Sequence, residues 1–316
     1  MLRSVIRLCK SSARGGSVTF AVKSGQAVDF PGLTGLLDQE FIWSRGRNTS
    51  LAARYPVLFE SDGKSEFLVC FEGETITAAL ALRDFEWLQG IETFQATMVG
   101  MVATHPDWRG RGCASQLLNF ARQRSTRRGV DFLVLWTSQQ NFYARLGWLP
   151  VDGGVLGNYR CPEDAPLPSH ASLITRAKDC NVQTLESLRH KHCHGHITRN
   201  RSNYACLPLS AEDVVVITPA GAEQEAYALI GTAGNTAYVY EMVGNPAQFQ
   251  TLWASACQRW KVFFINEHED NASLAWFKEN VAVQWEPKPL TMWLPISDRL
   301  PAGLKAGWNL TYFDRI

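Results

Sequence analysis

No stretch of this 316-residue chain approaches the roughly 20 apolar residues that a membrane-spanning helix needs, so no membrane partner is expected. Charge of one sign is also missing: 31 basic side chains stand against 30 acidic ones, a net +1. So even a balance gives no overall field for gripping nucleic acid, and no nucleic-acid partner is expected either. The eight cysteines run from Cys9 to Cys257 without one C-x-x-C pair, which argues against a disulfide scaffold or a zinc ribbon. Reduced thiols and a cytoplasmic location follow as the expectation. Acids are absent from the first 28 positions, where Arg3, Arg7, Lys10, Arg14 and Lys23 lie. That composition suits an organelle transit peptide or a frayed basic terminus ahead of the first strand; the second reading is preferred.

What is present is enough to fold. An apolar fraction of 46% supports packed cores, and the length suggests about two domains. Val18–Val22 reads as a strand, and Leu33, Leu36, Leu37 and Phe41 fall on one face of a helix over Asp29–Phe41. Phe67–Phe71 and Ile76–Leu82 flank a Glu-Gly-Glu turn as a hairpin, and Thr93–Thr104 is a long strand. Ala114, Leu117, Leu118 and Ala121 make the apolar stripe of a helix closed by Gly129. Asp131–Thr137 then reads as a strand buried on both faces, and Phe142–Leu146 as a short helix stopped by Gly147.

Pro162, Pro166 and Pro168 mark residues 161–168 as a linker. Beyond it the element order repeats. A strand at Ser172–Thr175 and a helix near Val182–Arg189 precede a hairpin of Val214–Ile217 with Ala226–Gly231. Ala237–Val243, Pro246–Arg259, Val262–Asn266 and Asn271–Glu279 then read as strand, helix, strand and helix. The expected division is 1–160, a linker at 161–168, and a second unit over 169–316.

The stretch that carries chemistry is Arg109-Gly110-Arg111-Gly112-Cys113-Ala114, at the junction of the long strand and the amphipathic helix. A diphosphate is held by several backbone N–H groups aimed at one point, backed by the positive end of a helix. Small residues let the phosphates approach. The loop lacks the Gly-Lys-Ser/Thr of a Walker loop, and it is not the early G-x-G-x-x-G of a dinucleotide fold.

Val102 to Ala114, followed by Asn141-Phe-Tyr-Ala-Arg-Leu-Gly-Trp148, resembles motifs A and B of the GNAT superfamily of N-acetyltransferases. The first matches an Arg/Gln-x-x-Gly-x-Gly/Ala loop, the second a Phe-Tyr-x-x-Leu-Gly-aromatic signature, and the specific match covers about residues 95–150. The two-lobed layout is similar to the Eis-like branch. The resemblance implies a mixed α/β fold: tandem GNAT-like lobes with a mixed central sheet, the first lobe catalytic and the second degenerate. It implies acetyl-CoA as cosubstrate and an amine acceptor, small molecule or peptide, with no metal. Met101, Val102 and Ala103 would pair with the pantetheine arm, Arg109, Gly110, Arg111, Gly112, Cys113 and Ala114 would cradle the pyrophosphate, and Ser138 and Gln139 would touch the cofactor again. Tyr143 would protonate the departing thiolate, its ordinary pKa of about 10 lying near a thiol's roughly 8.5.

The second lobe has only Gly244-Asn245-Pro246 where the first has its cradle, so a structural or substrate-shaping role is expected. The chain ends too soon after the last repeated element for the third, sterol-carrier-like domain of longer Eis-like proteins. In that branch a terminal carboxylate can act as base, and the resemblance leaves open whether Ile316 does so here. Glu86 and Glu92 are the nearest carboxylates to the long strand, and Phe85, Trp87 and Trp43 read equally as pocket wall or core. His105 reads as a cap or packing residue rather than a base, and Cys113 as no nucleophile. The cluster His190, His192, Cys193, His194 and His196 reads as the basic end of a helix rather than a metal site. A non-catalytic acyl-CoA-binding or regulatory protein is the rival, and a homo-oligomer stays open.

Overall fold

The structure, a computed structural model, describes residues 7–13, 16–163, 171–221, 224–300 and 310–316. Residues 1–6, 14 and 15 of the basic first 28, and residues 164–168 of the linker, lie outside them; in place of the expected frayed terminus, Arg7–Ala13 forms a strand because residues 16–22 pair with it. In chain order, β1 (Arg7–Ala13) and β2 (Gly16–Gly25) pair, then α1 (Leu33–Phe41) and the single turn α2 (Leu51–Arg54) follow. A meander of β3 (Ser65–Glu72), β4 (Thr75–Gln89) and β5 (Glu92–Thr104) leads to α3 (Cys113–Arg127), β6 (Phe132–Trp136) and α4 (Gln140–Ala144). Next come β7 (Gly154–Arg160), β8 (Ser172–Arg176), α5 (Val182–His192), β9 (Gly195–Ile197) and α6 (Arg201–Tyr204). The chain continues with β10 (Asp213–Pro219), β11 (Ala226–Ala233), β12 (Thr236–Gly244), α7 (Phe249–Arg259) and β13 (Val262–His268). It finishes with α8 (Ala272–Asn280), β14 (Gln284–Pro287) and β15 (Thr291–Pro295).

Period-two alternation splits the first sheet's side chains between two cores. Leu68 and Cys70 of β3 face the side that α3 covers with Leu117, Leu118 and Ala121. Phe67 and Val69 face the other side, against Leu33 and Leu37 of α1. The second sheet is built alike, with Leu252, Trp253 and Ala256 of α7 on Ile230, Val239, Phe263 and Ile265. The strand orders are β1-β2-β3-β4-β5-β6-β15 and β14-β7-β13-β12-β11-β10-β8. Both sheets are mixed: β5 runs parallel to β6, and β12 to β13, within otherwise antiparallel pairings.

The sheets do not follow chain order. β7 precedes the linker but joins the second sheet through β13 and β14. β15 returns to the first sheet, Thr291 opposite Trp136 and Pro295 opposite Phe132. β9 also crosses, pairing with the outer end of β4.

One buried ionic cluster ties the end of the chain to the second sheet. The Arg199 guanidinium is fully buried and donates to Glu241 at 2.6 and 2.9 Å and to Asp314 at 2.6 and 2.9 Å. Tyr227 Oη donates to Glu241 at 2.6 Å. Burial alone would raise the Glu241 pKa, but Arg199 and Arg189 outweigh it and hold the carboxyl at about 2.

Candidate active site

The site begins where two parallel strands part. β5 and β6 pair only over Ala96–Met98 and Phe132–Val134, although β5 continues to Thr104 and β6 to Trp136. The cause is a bulge in β5: Ala79 and Ala81 of β4 stand opposite Ala103 and Gly100, so β5 carries one residue more over the same length. Within the bulge Met101 has φ 50°, the one positive value of a non-glycine among the described residues. A left-handed residue with a side chain costs roughly 1–2 kcal/mol, strain of the kind that collects at functional positions.

Past the bulge, His105 caps a short turn by accepting from the Asp107 amide at 3.4 Å. The loop of residues 109–112 then enters α3. Gly110 and Gly112 have φ of 76° and 85°, values a side chain would resist. Gly112 is the N-cap of α3 and offers no side-chain cap, so the main-chain amides and positive pole of this 15-residue helix are left for an anion. Arg109 Nη2 donates to Glu40 Oε2 at 2.9 Å, and the Arg111 guanidinium lies 4.5 Å from the Trp108 ring centroid.

A cavity of about 990 Å³ fills the gap between the parted strands. Seven residues singled out from sequence meet on its wall: Met101, Val102, Arg109, Ala114, Ser138, Gln139 and Tyr143. The others stand beside it. Ala103 packs toward α1, the Cys113 side chain toward the α3 core, and Gly110, Arg111 and Gly112 form the turn at its mouth. The Cys113 thiol, hydrogen-bonded with Cys70, is drawn down to about 7, though it is almost wholly buried. Tyr143 is 8% exposed, wedged between Phe142 and Trp148, and burial pushes its phenol up to about 12.

Several wall residues carried no signal in the sequence. Arg45 and Arg47 come from the segment after α1, Pro208, Leu209 and Ser210 from the second half, and Tyr312 and Arg315 from the end of the chain, beside Ile316, which the resemblance had already raised. Gly100 makes room for Ile316: a Cβ there would lie 2.6 Å from the Ile316 carbonyl carbon. Glu86 and Glu92 are on the outer hairpin, away from the cavity wall, and Trp43 is 49% exposed. Trp87 is wholly buried in a core cluster that Phe85 packs against.

In the second half β12 and β13 also part, beyond Val239 and Ile265. The space beside their ends is only about 220 Å³ and is bordered by His192, His194 and His196. Among the described residues no group of His, Cys, Asp and Glu side chains is placed to hold a metal ion.

Residues 22–151 match the family model of the GNAT acetyltransferase domain. Over those residues the chain resembles a GNAT domain. An uncharacterized N-acetyltransferase of Methanocaldococcus jannaschii is 33% identical over 70 residues, 21% of this chain and 31% of that protein. The matched stretch thus spans about a third of that curated relative. Among solved structures, a probable N-acyltransferase from Enterococcus faecalis superposes with a TM-score of 0.72 at 15% identity, covering 88% of this chain and 72% of that one. A tandem GNAT protein of the clavulanic acid pathway gives 0.57 at 12% identity over 88% and 99%. Eis1 of Mycobacterium abscessus gives 0.53 at 14% over 73% and 64%. These likenesses establish the fold: two GNAT-like lobes, each with a mixed sheet.

Proposed function

We propose that the protein is an acetyl-CoA-dependent N-acetyltransferase acting on a primary amine. The observation that carries this is the uncapped N-terminus of α3 behind two left-handed glycines, at the mouth of a cavity that opens where β5 leaves β6. That cradle is shaped for a diphosphate. The β5 main chain over Met101–Ala103, with β6 gone from its flank beyond Met98, offers a strand edge to an amide-bearing arm such as pantetheine. Ser138 and Gln139 border the cavity from the diverging side.

Acetyl-CoA, when bound, supplies an activated acetyl thioester. The amine nitrogen bonds to the acetyl carbon as the carbon–sulfur bond breaks, the amine gives up a proton, and the sulfur takes one. Tyr143 is assigned as the donor to sulfur. Its burial keeps it protonated far above neutral pH, and a sulfur anion in the same cavity would be desolvated as well, which narrows the gap between them. Ile316 lines the same cavity, and on this reading water within it takes the amine's proton.

The division into a catalytic unit at 1–160, a linker at 161–168 and a substrate-shaping unit at 169–316 is retained as part of the proposal, with β7 and β15 exchanged between the two sheets. Calorimetric titration with acetyl-CoA, coupled to thiol release across an amine library, tests the whole. The Arg111→Glu, Gly112→Glu double variant is expected to lose both signals. Binding without thiol release from any amine would favour a non-catalytic acyl-CoA-binding protein.

A further inference from the structure

We propose that the amine acceptor is itself an anion: an amine bearing a carboxylate, which pairs with Arg315. The inference rests on the transferase reading and adds a substrate class to it.

The first ground is charge. Arg45, Arg47, Arg109, Lys288 and Arg315 line the cavity, while Glu40 is the one acidic side chain of the described residues on its wall, already bound to Arg109 at 2.9 Å. Arg109 belongs to the cradle assigned to the diphosphate. Arg45 and Arg47 come from the segment after α1, and Arg315 from the end of the chain, so these cations line the cavity without belonging to the cradle. A polycationic acceptor would meet repulsion there, and an anionic one attraction.

The second ground is the setting of Arg315. Its guanidinium lies 4.6 Å from the Tyr312 ring centroid and 5.5 Å from that of Trp136. Aromatic faces hold such a group flat and limit its rotation, which prepares its fork for a planar, two-oxygen partner. Asp152 acts on it only through its charge, with no ion pair formed, and its Nε is buried with no hydrogen-bond partner. Burial draws its pKa down to about 10, as expected for a cation short of compensation. A buried donor left unmatched is costly, and a ligand carboxylate would remove that cost. A single fork between aromatic walls matches one carboxylate in shape and charge.

The test is thiol release with acetyl-CoA across four arms: amino carboxylates, their matched carboxamides, aminoalkyl phosphates, and polyamines with aminoglycosides. The expected result is a kcat/KM for the best carboxylate about 10- to 150-fold above that of its carboxamide, the range for loss of a charge-assisted hydrogen bond. Arg315→Met should raise KM for that carboxylate at least about tenfold and erase the acid–amide difference, with acetyl-CoA affinity unchanged by calorimetry. Arg315→Lys should restore part of the preference. Higher activity on carboxamides, phosphates or polycations overturns the inference and leaves the transferase reading standing, as does an Arg315→Met protein that still discriminates. Acetyl-CoA binding with no thiol release from any arm defeats the transferase reading, and the inference falls with it.

Discussion

Gly100→Ala tests the link between the end of the chain and turnover. The added Cβ would stand 2.6 Å from the Ile316 carbonyl carbon and closer still to its oxygen, and ordinary contact begins at 3.4 Å, so Ile316 must retreat by about 1 Å. Arg199 opposes a larger retreat by holding Asp314 at 2.6 and 2.9 Å. A shift of about 1 Å in the wall that positions the reacting groups costs on the order of 100-fold in rate, so kcat in the thiol-release assay should fall by about that factor. Acetyl-CoA affinity should stay within about threefold, because the cradle on α3 is untouched. Gly35→Ala is the control: it lies on α1 and its new methyl would meet nothing within 4 Å. A folded Gly100→Ala protein with wild-type kcat would refute the idea that Ile316 shapes the reacting end of the cavity.

Tyr143→Phe should lower kcat by about 10²- to 10⁴-fold, the usual worth of a general acid, with acetyl-CoA affinity unchanged; wild-type turnover would remove Tyr143 from the chemistry. Arg199→Met strands Glu241 and Asp314 in the interior; unfolding free energy from urea titration should drop by about 3–5 kcal/mol, and a loss under about 1 kcal/mol would contradict the buried cluster. Stability should also decline in acid. Burial, with Arg189 and His190, lowers the His196 pKa to about 4 from 6.5, so its contribution is complete above pH 6.5 and is lost as pH falls through 4. The Glu241 contribution, complete above pH 4.5, is lost on the way down through 2. His196→Gln should flatten the upper part of that decline, and a urea midpoint equally pH-dependent in the variant would sink the assignment.

The central elements were legible because local chemistry writes them. The 15 residues of α3 carry their stripe of Leu117, Leu118 and Ala121, and Gly129, at φ 69°, lies where the helix stops. β6 shows its double burial as Phe-Leu-Val-Leu, and the Gly110–Gly112 turn shows its left-handed backbone in its composition. The predicted helix at Asp29–Phe41 proved shorter, beginning at Leu33, because Ala27–Asp29 forms a separate turn in which the Asp29 carboxylate accepts from the Gln26 amide. Strand β1 formed in the segment read as a frayed terminus, and strands β7, β9, β14 and β15 escaped sequence reasoning. The latter are short, and their partners lie far along the chain, as Thr291 opposite Trp136 illustrates. Tertiary neighbours, not local preference, make such segments extended. The β5 bulge was hidden for a similar reason, since methionine at φ 50° is imposed by surrounding structure and leaves no compositional mark. Arg315 and Tyr312 reach the cavity through a turn whose position depends on Arg199 and Asp314, a pairing over 115 residues of separation.

The trading of β7 for β15 has a consequence for anyone who would take the protein apart. A gene cut at the linker yields two products, each missing a ribbon that its twin carries away. The first product would bare the rim of β6 where Met292 and Leu294 now sit, an open hydrogen-bonding margin that invites clumping. Its mate would keep β15 with nothing to lie against, and would lack the β7 ribbon on which β13 and β14 both close. The two halves are therefore interlocked parts of one folding unit, and neither can be treated as a removable accessory.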